Sequence, residues 1–130
     1  MQPRPIVVIN DSAELLALVG EVLREDEGYA VTTLRSEETT ARDVLGARPA
    51  LVIIDLLLPA TAEGLSGWEL LEELLDDSAL VNVPFVVTSA AVDALREREP
   101  ALQRRENLVV LLKPFSVREL TAVVDRLLGR

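Results

Sequence analysis

An aspartate follows a strand-like apolar run near the middle of the sequence. Asp55 comes directly after the branched apolar residues 51–54 and is followed by three leucines and a proline. Such a run is typical of a strand that is buried on both faces of a parallel sheet. An acid at its end lies at the carboxyl edge, where open α/β folds keep their chemistry. Asp55 is therefore a candidate functional acid, and the alternative is a residue that only caps or solvates the strand end.

Four more polar residues end apolar runs elsewhere in the chain. Asn10 and Asp11 follow the first run, and Ser89 and Lys113 follow two later ones. Because the carboxyl ends of parallel strands meet at one edge of a sheet, we expect these side chains to join Asp55. Two carboxylates can hold a divalent cation, an Asp can act as nucleophile, a hydroxyl can donate to a phosphoryl oxygen and a Lys can neutralise its charge. A metal-assisted phosphate site would need this set.

A structural alternative exists for Asp11. Glu14 follows it by three residues, which is the pattern of a helix capping box, and an N-cap is worth about 1 kcal/mol. A cap alone, however, does not require Asp55 and Lys113 at the same edge of the sheet. We therefore favour the interpretation of Asp11 as a metal ligand.

The composition restricts the chemistry that the chain can perform. The 130 residues carry a net charge of −9 and include neither cysteine nor histidine. The charge disfavours binding to nucleic acid, and the two missing residue types exclude imidazole catalysis, thiolate nucleophiles and the usual zinc sites. Any metal must be bound by oxygen, which points to Mg²⁺, Mn²⁺ or Ca²⁺. No apolar run has the length of a membrane span and the N-terminus lacks a signal-peptide core, so we expect a cytoplasmic protein with no membrane contact.

Alternating strands and helices must position these residues. Five alternations predict a single α/β domain over residues 1–130, with a core at about 6–128, a parallel sheet and helices on both of its faces. We label the elements β1–β5 and α1–α5, and we expect strands at 6–9, 29–34, 51–55, 83–88 and 108–112. Helices are expected at 11–24, at 37–47, from 66, within 92–106 and from 116, with Asp11, Ser36, Ser66 and Ser116 as N-caps of α1, α2, α3 and α5. The residues predicted to face inward from α1 are Leu15, Leu18, Val19 and Val22.

The polar residues at the strand ends, with the segments around them, resemble the receiver domain of two-component response regulators. The matching segments are 7–11, 54–59, 84–90 and 112–115, and 68–71 resembles the opening of the family's third helix. One Asp-x-x-x-Pro motif would be a weak signal, but all of these in order at strand ends form a strong one. The resemblance implies a flavodoxin-like (βα)5 fold with a three-layer architecture and strand order 2-1-3-4-5.

The resemblance also implies a metal-dependent phosphoacceptor. Asp55 would accept a phosphoryl group from a phosphohistidine on a partner histidine kinase or phosphotransfer protein. Mg²⁺ would be held by Asp11, Asp55 and the backbone carbonyl of Leu57, with Asn10 contributing weakly or through water. The family usually has an acid at the position of Asn10, so we expect weakened Mg²⁺ binding.

The remaining site residues would convert phosphorylation into a signal. Ser89 would move toward the phosphoryl group, and Lys113 would bind the carboxylate or the phosphoryl oxygens across a cis bond to Pro114. The resulting change would reach the α4–β5–α5 face, which a downstream protein or a second copy of the chain would contact. We expect no output domain after α5 and no enzymatic activity beyond self-catalysed phosphorylation and dephosphorylation.

Two further departures from the family pattern are present besides Asn10. Val110 stands where the family usually has an aromatic switch residue, and the loop 59–67 is longer than usual. Together with Asn10, Val110 favours a pseudo-receiver that acts as an interaction or dimerisation module without phosphorylation. A haloacid-dehalogenase-like phosphatase would need a second acid where this chain has Leu57, and no glycine-rich nucleotide-binding motif is present.

Overall fold

The computed structural model describes residues 4–26, 28–35, 39–56, 68–89, 96, 100, 102 and 105–129. Over these residues, five strands form one parallel sheet in the order β2-β1-β3-β4-β5. The strands are Pro5–Asn10, Ala30–Arg35, Leu51–Asp55, Phe85–Ser89 and Leu108–Leu112. This arrangement confirms the predicted flavodoxin-like strand order.

Helices follow β1, β2, β3 and β5 along the chain. The helices are α1 at Ala13–Glu21, continued by a π-helix at Val22–Asp26, α2 at Ala41–Gly46, α3 at Trp68–Asp76, followed by a 3-10 helix at Ser78–Leu80, and α5 at Val117–Leu127. The predicted α4 lies mostly outside the described residues, as do Leu57, the loop 59–67 and the predicted caps Ser36 and Ser66. Within the described ranges, no helix is both long enough and apolar enough to cross a membrane.

Two helix starts differ from the prediction. The N-cap of α1 is Ser12 and not Asp11, because the Ser12 hydroxyl accepts a hydrogen bond from the backbone N–H of Leu15 at 3.2 Å. Helix α2 begins four residues later than predicted from 37, and its capping box is formed by Thr40 and Asp43. The predicted N-cap Ser116 of α5 is confirmed, and it forms a capping box with Glu119.

The buried face of α1 also differs from the prediction. Leu18 is 48% exposed, whereas Leu16 and Leu23 are buried together with Val19. Positions 16, 19, 20 and 23 follow the spacing of one helical face, so the inward stripe is rotated away from Leu18. The prediction that Leu18 faces inward was therefore wrong.

The sheet separates two apolar cores. Successive strand residues point to opposite faces, so odd and even positions of β1 belong to different clusters. Helices α2 and α3 cover the first cluster, which contains Val7, Ile9, Val44, Val52, Ile54, Leu71, Leu74, Phe85 and Val87. Helices α1 and α5 cover the second, which contains Ile6, Val8, Leu16, Val19, Leu23, Ile53, Val86, Leu120 and Val124. This is the predicted three-layer arrangement.

An arginine closes the amino edge of the sheet. The Arg105 guanidinium lies 4.9 Å from the centre of the Phe85 ring, at the start of β4. The same guanidinium donates a hydrogen bond to the carbonyl of Leu80. Burial lowers the pKa of Arg105 because desolvation disfavours its charged form. Arg105 thus connects the approach to β5 with the start of β4 and with the 3-10 helix.

Candidate functional site

The strand ends bring the predicted polar residues to one edge. Asn10, Asp55 and Ser89 are the last residues of β1, β3 and β4, and Lys113 is the first residue after β5. The backbone N–H of Lys113 donates to the carbonyl of Ser89 at 3.0 Å, which joins the two strand ends. The bond between Lys113 and Pro114 is cis. The carboxyl edge of the sheet therefore carries the residues that the sequence pattern placed there.

Asp55 is a buried carboxylate with a cationic partner. Its side chain is 1% exposed, and its Oδ1 lies 2.8 Å from Nζ of Lys113, whose side chain is 32% exposed. A buried charge needs a partner because transfer of an ion from water into a protein costs on the order of several kcal/mol. The Lys113 ammonium lies at the border with solvent and supplies that partner. The predicted contact of Lys113 with the Asp55 carboxylate is therefore present in the structure.

A second donor to Asp55 is Thr88, which was not among the predicted site residues. The Thr88 hydroxyl donates to Asp55 Oδ1 at 2.6 Å. The two residues are partners in the β3–β4 register, and Thr88 is only 2% exposed. One signal was available, since a hydroxyl ends the buried run Phe85-Val86-Val87 on the strand that neighbours β3.

The second oxygen of the Asp55 carboxylate differs from the first. Both donors contact Oδ1, whereas Oδ2 is buried and has no hydrogen-bond partner among the described residues. Buried polar atoms are rarely left unsatisfied, and those that are call for a functional explanation. An anionic oxygen of this kind can bind a cation or attack an electrophile, which makes Oδ2 the candidate reactive atom of the site.

Asn10 ends β1, and Asp11 follows it at the same edge. Asn10 is 5% exposed, and its Oδ1 accepts a hydrogen bond from the backbone N–H of Ser12 at 2.9 Å. Because this bond starts the turn into α1 and Ser12 supplies the cap, Asp11 has no capping role, which removes the structural alternative considered for it. The Asp11 side chain is partly exposed beside β1.

The donor set fits a hard divalent cation. The part of the chain that the structure describes contains no group of three or more acidic, His or Cys side chains that could hold a metal. The predicted side-chain ligands are Asp11 and Asp55, and Asn10 offers an amide oxygen at the same sheet edge. Oxygen ligands and the unpartnered Asp55 Oδ2 suit Mg²⁺, which is typically held by one or two carboxylates and keeps several waters. The predicted Leu57 carbonyl lies outside the described residues.

Ser89 and Val110 complete the predicted switch positions. Ser89 is fully buried at the end of β4, and its movement toward a phosphoryl group remains a prediction. Val110 is 37% exposed and Leu112, two residues further along β5, is 44% exposed. Because residues two apart on a strand share a face, these side chains form an exposed apolar pair on β5.

Sequence comparison links this site to a known family. The family model described as the response regulator receiver domain matches residues 6–125. The phosphate regulon transcriptional regulatory protein PhoB of Pseudomonas aeruginosa is 25% identical over 130 residues, which cover the whole chain and 54% of that protein. The DNA-binding response regulator MtrA of Mycobacterium tuberculosis is 30% identical over 125 residues, which cover 96% of the chain and 50% of MtrA. The chain thus spans about half the length of these curated relatives.

Solved structures show the same fold. The chemotaxis response regulator CheY4 of Vibrio cholerae superposes with a TM-score of 0.74 at 20% identity, covering 96% of this chain and 98% of CheY4. The apo receiver domain of nitrogen regulatory protein C gives a TM-score of 0.71 at 24% identity, covering 99% of this chain and 97% of that domain. With the strand order, the residues at the carboxyl edge and the match over residues 6–125, the chain belongs to the response regulator receiver domain family.

Proposed function

We propose that Asp55 accepts a phosphoryl group from a phosphohistidine on a histidine kinase or phosphotransfer protein. The observation that supports this most strongly is Asp55 Oδ2, a buried anionic oxygen without a donor among the described residues. In the transfer, Oδ2 attacks phosphorus, the phosphorus–nitrogen bond breaks, and its electron pair leaves with the imidazole. Lys113 supplies positive charge beside the new phosphoryl oxygens, which is electrostatic stabilisation at the place where charge accumulates.

The acidic edge is proposed to bind Mg²⁺ through Asp11 and Asp55, with the Leu57 carbonyl as a further ligand. Bound there, the ion would supply positive charge that offsets the repulsion between the carboxylates and the incoming phosphoryl group. Asn10 keeps an oxygen at the position but brings no charge, and that oxygen already accepts the Ser12 N–H. We therefore expect Mg²⁺ binding to be weaker than with an acid at position 10.

The output is proposed to be a protein–protein contact. A phosphoryl group adds negative charge beside Lys113 and the fully buried Ser89, and such a change biases the conformations of neighbouring elements. The exposed pair Val110 and Leu112 on β5 supports the proposed use of the α4–β5–α5 face by a downstream protein or a second copy of this chain. The net charge of −9 argues against direct contact with nucleic acid.

A groove beside the site supports docking of the phosphodonor protein. It lies between α1 and the β5–α5 connection, has a volume of about 470 Å³, and is lined by Leu15, Leu18, Val19, Lys113, Pro114, Phe115, Val117 and Leu120. Because Lys113 is both a groove residue and the partner of Asp55, a protein that fills the groove would bring its phosphohistidine close to the acceptor. Apolar grooves of this kind suit one face of an amphipathic helix.

The proposal is tested by intact mass spectrometry after incubation with Mg²⁺ and acetyl phosphate. We expect one phosphoryl adduct on the wild-type chain and none on Asp55→Asn, because an amide oxygen is not an effective nucleophile. Asp76→Asn, on an exposed residue at the end of α3, is the matched control and should be modified like the wild type. An unmodified wild type that also fails to bind Mg²⁺ would favour the pseudo-receiver, for which the Asn10 amide is the supporting observation.

A further inference from the structure

Two donors share one oxygen of Asp55, but they differ in mobility. Lys113 carries its ammonium on a flexible chain that is about one-third exposed, with Nζ at 2.8 Å from Oδ1. Thr88 is 2% exposed and sits inside β4 in register with Asp55. Its β-branched side chain has restricted rotation about χ1. If Lys113 turns toward a phosphoryl group, we expect the buried Thr88 hydroxyl to stay on Oδ1.

We propose that Thr88 shortens the lifetime of the phosphoryl group on Asp55, an inference that rests on the proposed function. In the unmodified carboxylate, Oδ1 carries part of a negative charge and accepts a charge-assisted hydrogen bond. Once Oδ2 bears the phosphoryl group, Oδ1 is the carbonyl oxygen of an uncharged acyl group. Charge-assisted hydrogen bonds are roughly twice as strong as neutral ones, so Thr88 stabilises the unmodified state more than the phosphorylated one.

The same difference acts on hydrolysis. Water attacks phosphorus, the bond between phosphorus and Oδ2 breaks, and its electron pair returns to the carboxylate, while the protons of the water stay with the released phosphate. Negative charge grows on Oδ1 along this path, so the Thr88 hydrogen bond is stronger in the transition state than in the acyl phosphate. A contact that strengthens toward the transition state accelerates the step.

The test follows the decay of the phosphorylated chain. Wild type and variants are phosphorylated with acetyl phosphate and Mg²⁺, the donor is removed by rapid desalting, and intact mass is recorded over time. We expect Thr88→Val and Thr88→Ala to lengthen the lifetime about fivefold, which converts to about 1 kcal/mol. Thr88→Ser keeps the hydroxyl and should restore the wild-type decay.

A matched control separates the hydroxyl from general stability. Thr121→Val removes a hydroxyl that donates to the Arg118 carbonyl at 3.0 Å on α5, and its decay rate should equal that of the wild type. A purely structural role of Thr88 would change the melting temperature of Thr88→Val and Thr88→Ala without lengthening the lifetime.

The outcomes distinguish this inference from the proposed function. If the wild type forms an adduct and both hydroxyl-free variants lose it as fast or faster, the role of Thr88 is refuted while the phosphoacceptor function stands. If the wild type forms no adduct, both fail together. Thr88→Ala keeps the test open if valine disturbs folding, since alanine lacks both the hydroxyl and the branched methyl group.

Discussion

The amide at position 10 gives the sharpest test of the acidic pocket. Asn10 is 5% exposed, and its Oδ1 accepts the backbone N–H of Ser12 at 2.9 Å. The substitution Asn10→Asp retains an acceptor for that N–H, so the turn into α1 should survive. It adds one negative charge at the end of β1, next to Asp11 and at the same sheet edge as Asp55. We expect Mg²⁺ to bind more tightly and the metal-free fold to lose stability.

The expected change in Mg²⁺ affinity is the balance of two opposing charge effects. Two unit charges about 4 Å apart interact by roughly 4 kcal/mol at an effective dielectric constant near 20. The new carboxylate attracts Mg²⁺, but much of this favourable energy is cancelled because the carboxylate loses hydration. Its acidic neighbours also repel it when no metal is bound. A net gain of about 1.4 kcal/mol, or tenfold in the dissociation constant of Mg²⁺, is the expected result. The free energy of unfolding without Mg²⁺ should fall by about 1–3 kcal/mol, the usual cost of an incompletely satisfied buried group.

Isothermal titration calorimetry with Mg²⁺ and urea unfolding with and without Mg²⁺ measure the two quantities. Because ligand binding raises the unfolding free energy by RT ln(1 + [Mg²⁺]/Kd), saturating Mg²⁺ should reduce the stability difference from the wild type by about 1.4 kcal/mol. The matched control is Asn107→Asp, which makes the same substitution just before β5, at the opposite edge of the sheet. An unchanged affinity in Asn10→Asp, or an equal gain in Asn107→Asp, would show that position 10 does not contribute to a metal pocket.

Three further tests compare five substitutions in the site and in the helices that support it. Ser12→Ala removes the N-cap and should lower the free energy of unfolding in urea by about 1 kcal/mol without changing Mg²⁺ affinity. Asp11→Asn should weaken Mg²⁺ binding at least about tenfold with little effect on stability. The reverse result would show that Asp11 is the cap. Leu74→Ala should lower the free energy of unfolding by about 2–5 kcal/mol because Leu74 is fully buried. Leu18 on α1 is exposed, so a comparable loss of stability in Leu18→Ala would contradict the buried face observed for α1. Lys113→Met removes the partner of a buried carboxylate and should destabilise the fold. Because the side chain of Lys113 is about one-third exposed, the loss should be about 3 kcal/mol or less. A gain in stability would show that water, and not Lys113, satisfies the Asp55 carboxylate.

The sheet and the placement of its polar residues were predictable from the sequence. Each of the apolar runs that became β1, β3 and β4 ends in a polar residue, and parallel strands bring their carboxyl ends together. The positions of Asn10, Asp55, Ser89 and Lys113 at one edge therefore followed from strand boundaries and direction alone. Their contacts were less predictable, apart from that between Lys113 and Asp55, which the family resemblance implied.

The features of the site that the sequence did not predict depend on contacts between side chains and neighbouring segments. The hydrogen bond from Thr88 to Asp55 requires the β3–β4 register, and 33 residues separate the two partners in the chain. Asp11 and Ser12 both fit the N-cap pattern of α1, and the choice depends on the Asn10 amide binding the Ser12 N–H. Since both candidates have favourable cap chemistry, local sequence could not decide between them.

The two ends of the sheet are held by different contacts. At the amino end, one guanidinium links the Phe85 ring and the Leu80 carbonyl, so the starts of β4 and β5 are fastened to the end of the α3 region. At the carboxyl end, Asp55 holds an oxygen with no donor in the described part of the chain. Lys113 and Thr88 hold its other oxygen, so a rearrangement at Asp55 would first change those two contacts, whereas the Arg105 contacts lie at the far end of β4. We expect amide hydrogens near Phe85 to exchange more slowly than those near Ser89, and Arg105→Leu to reduce that contrast.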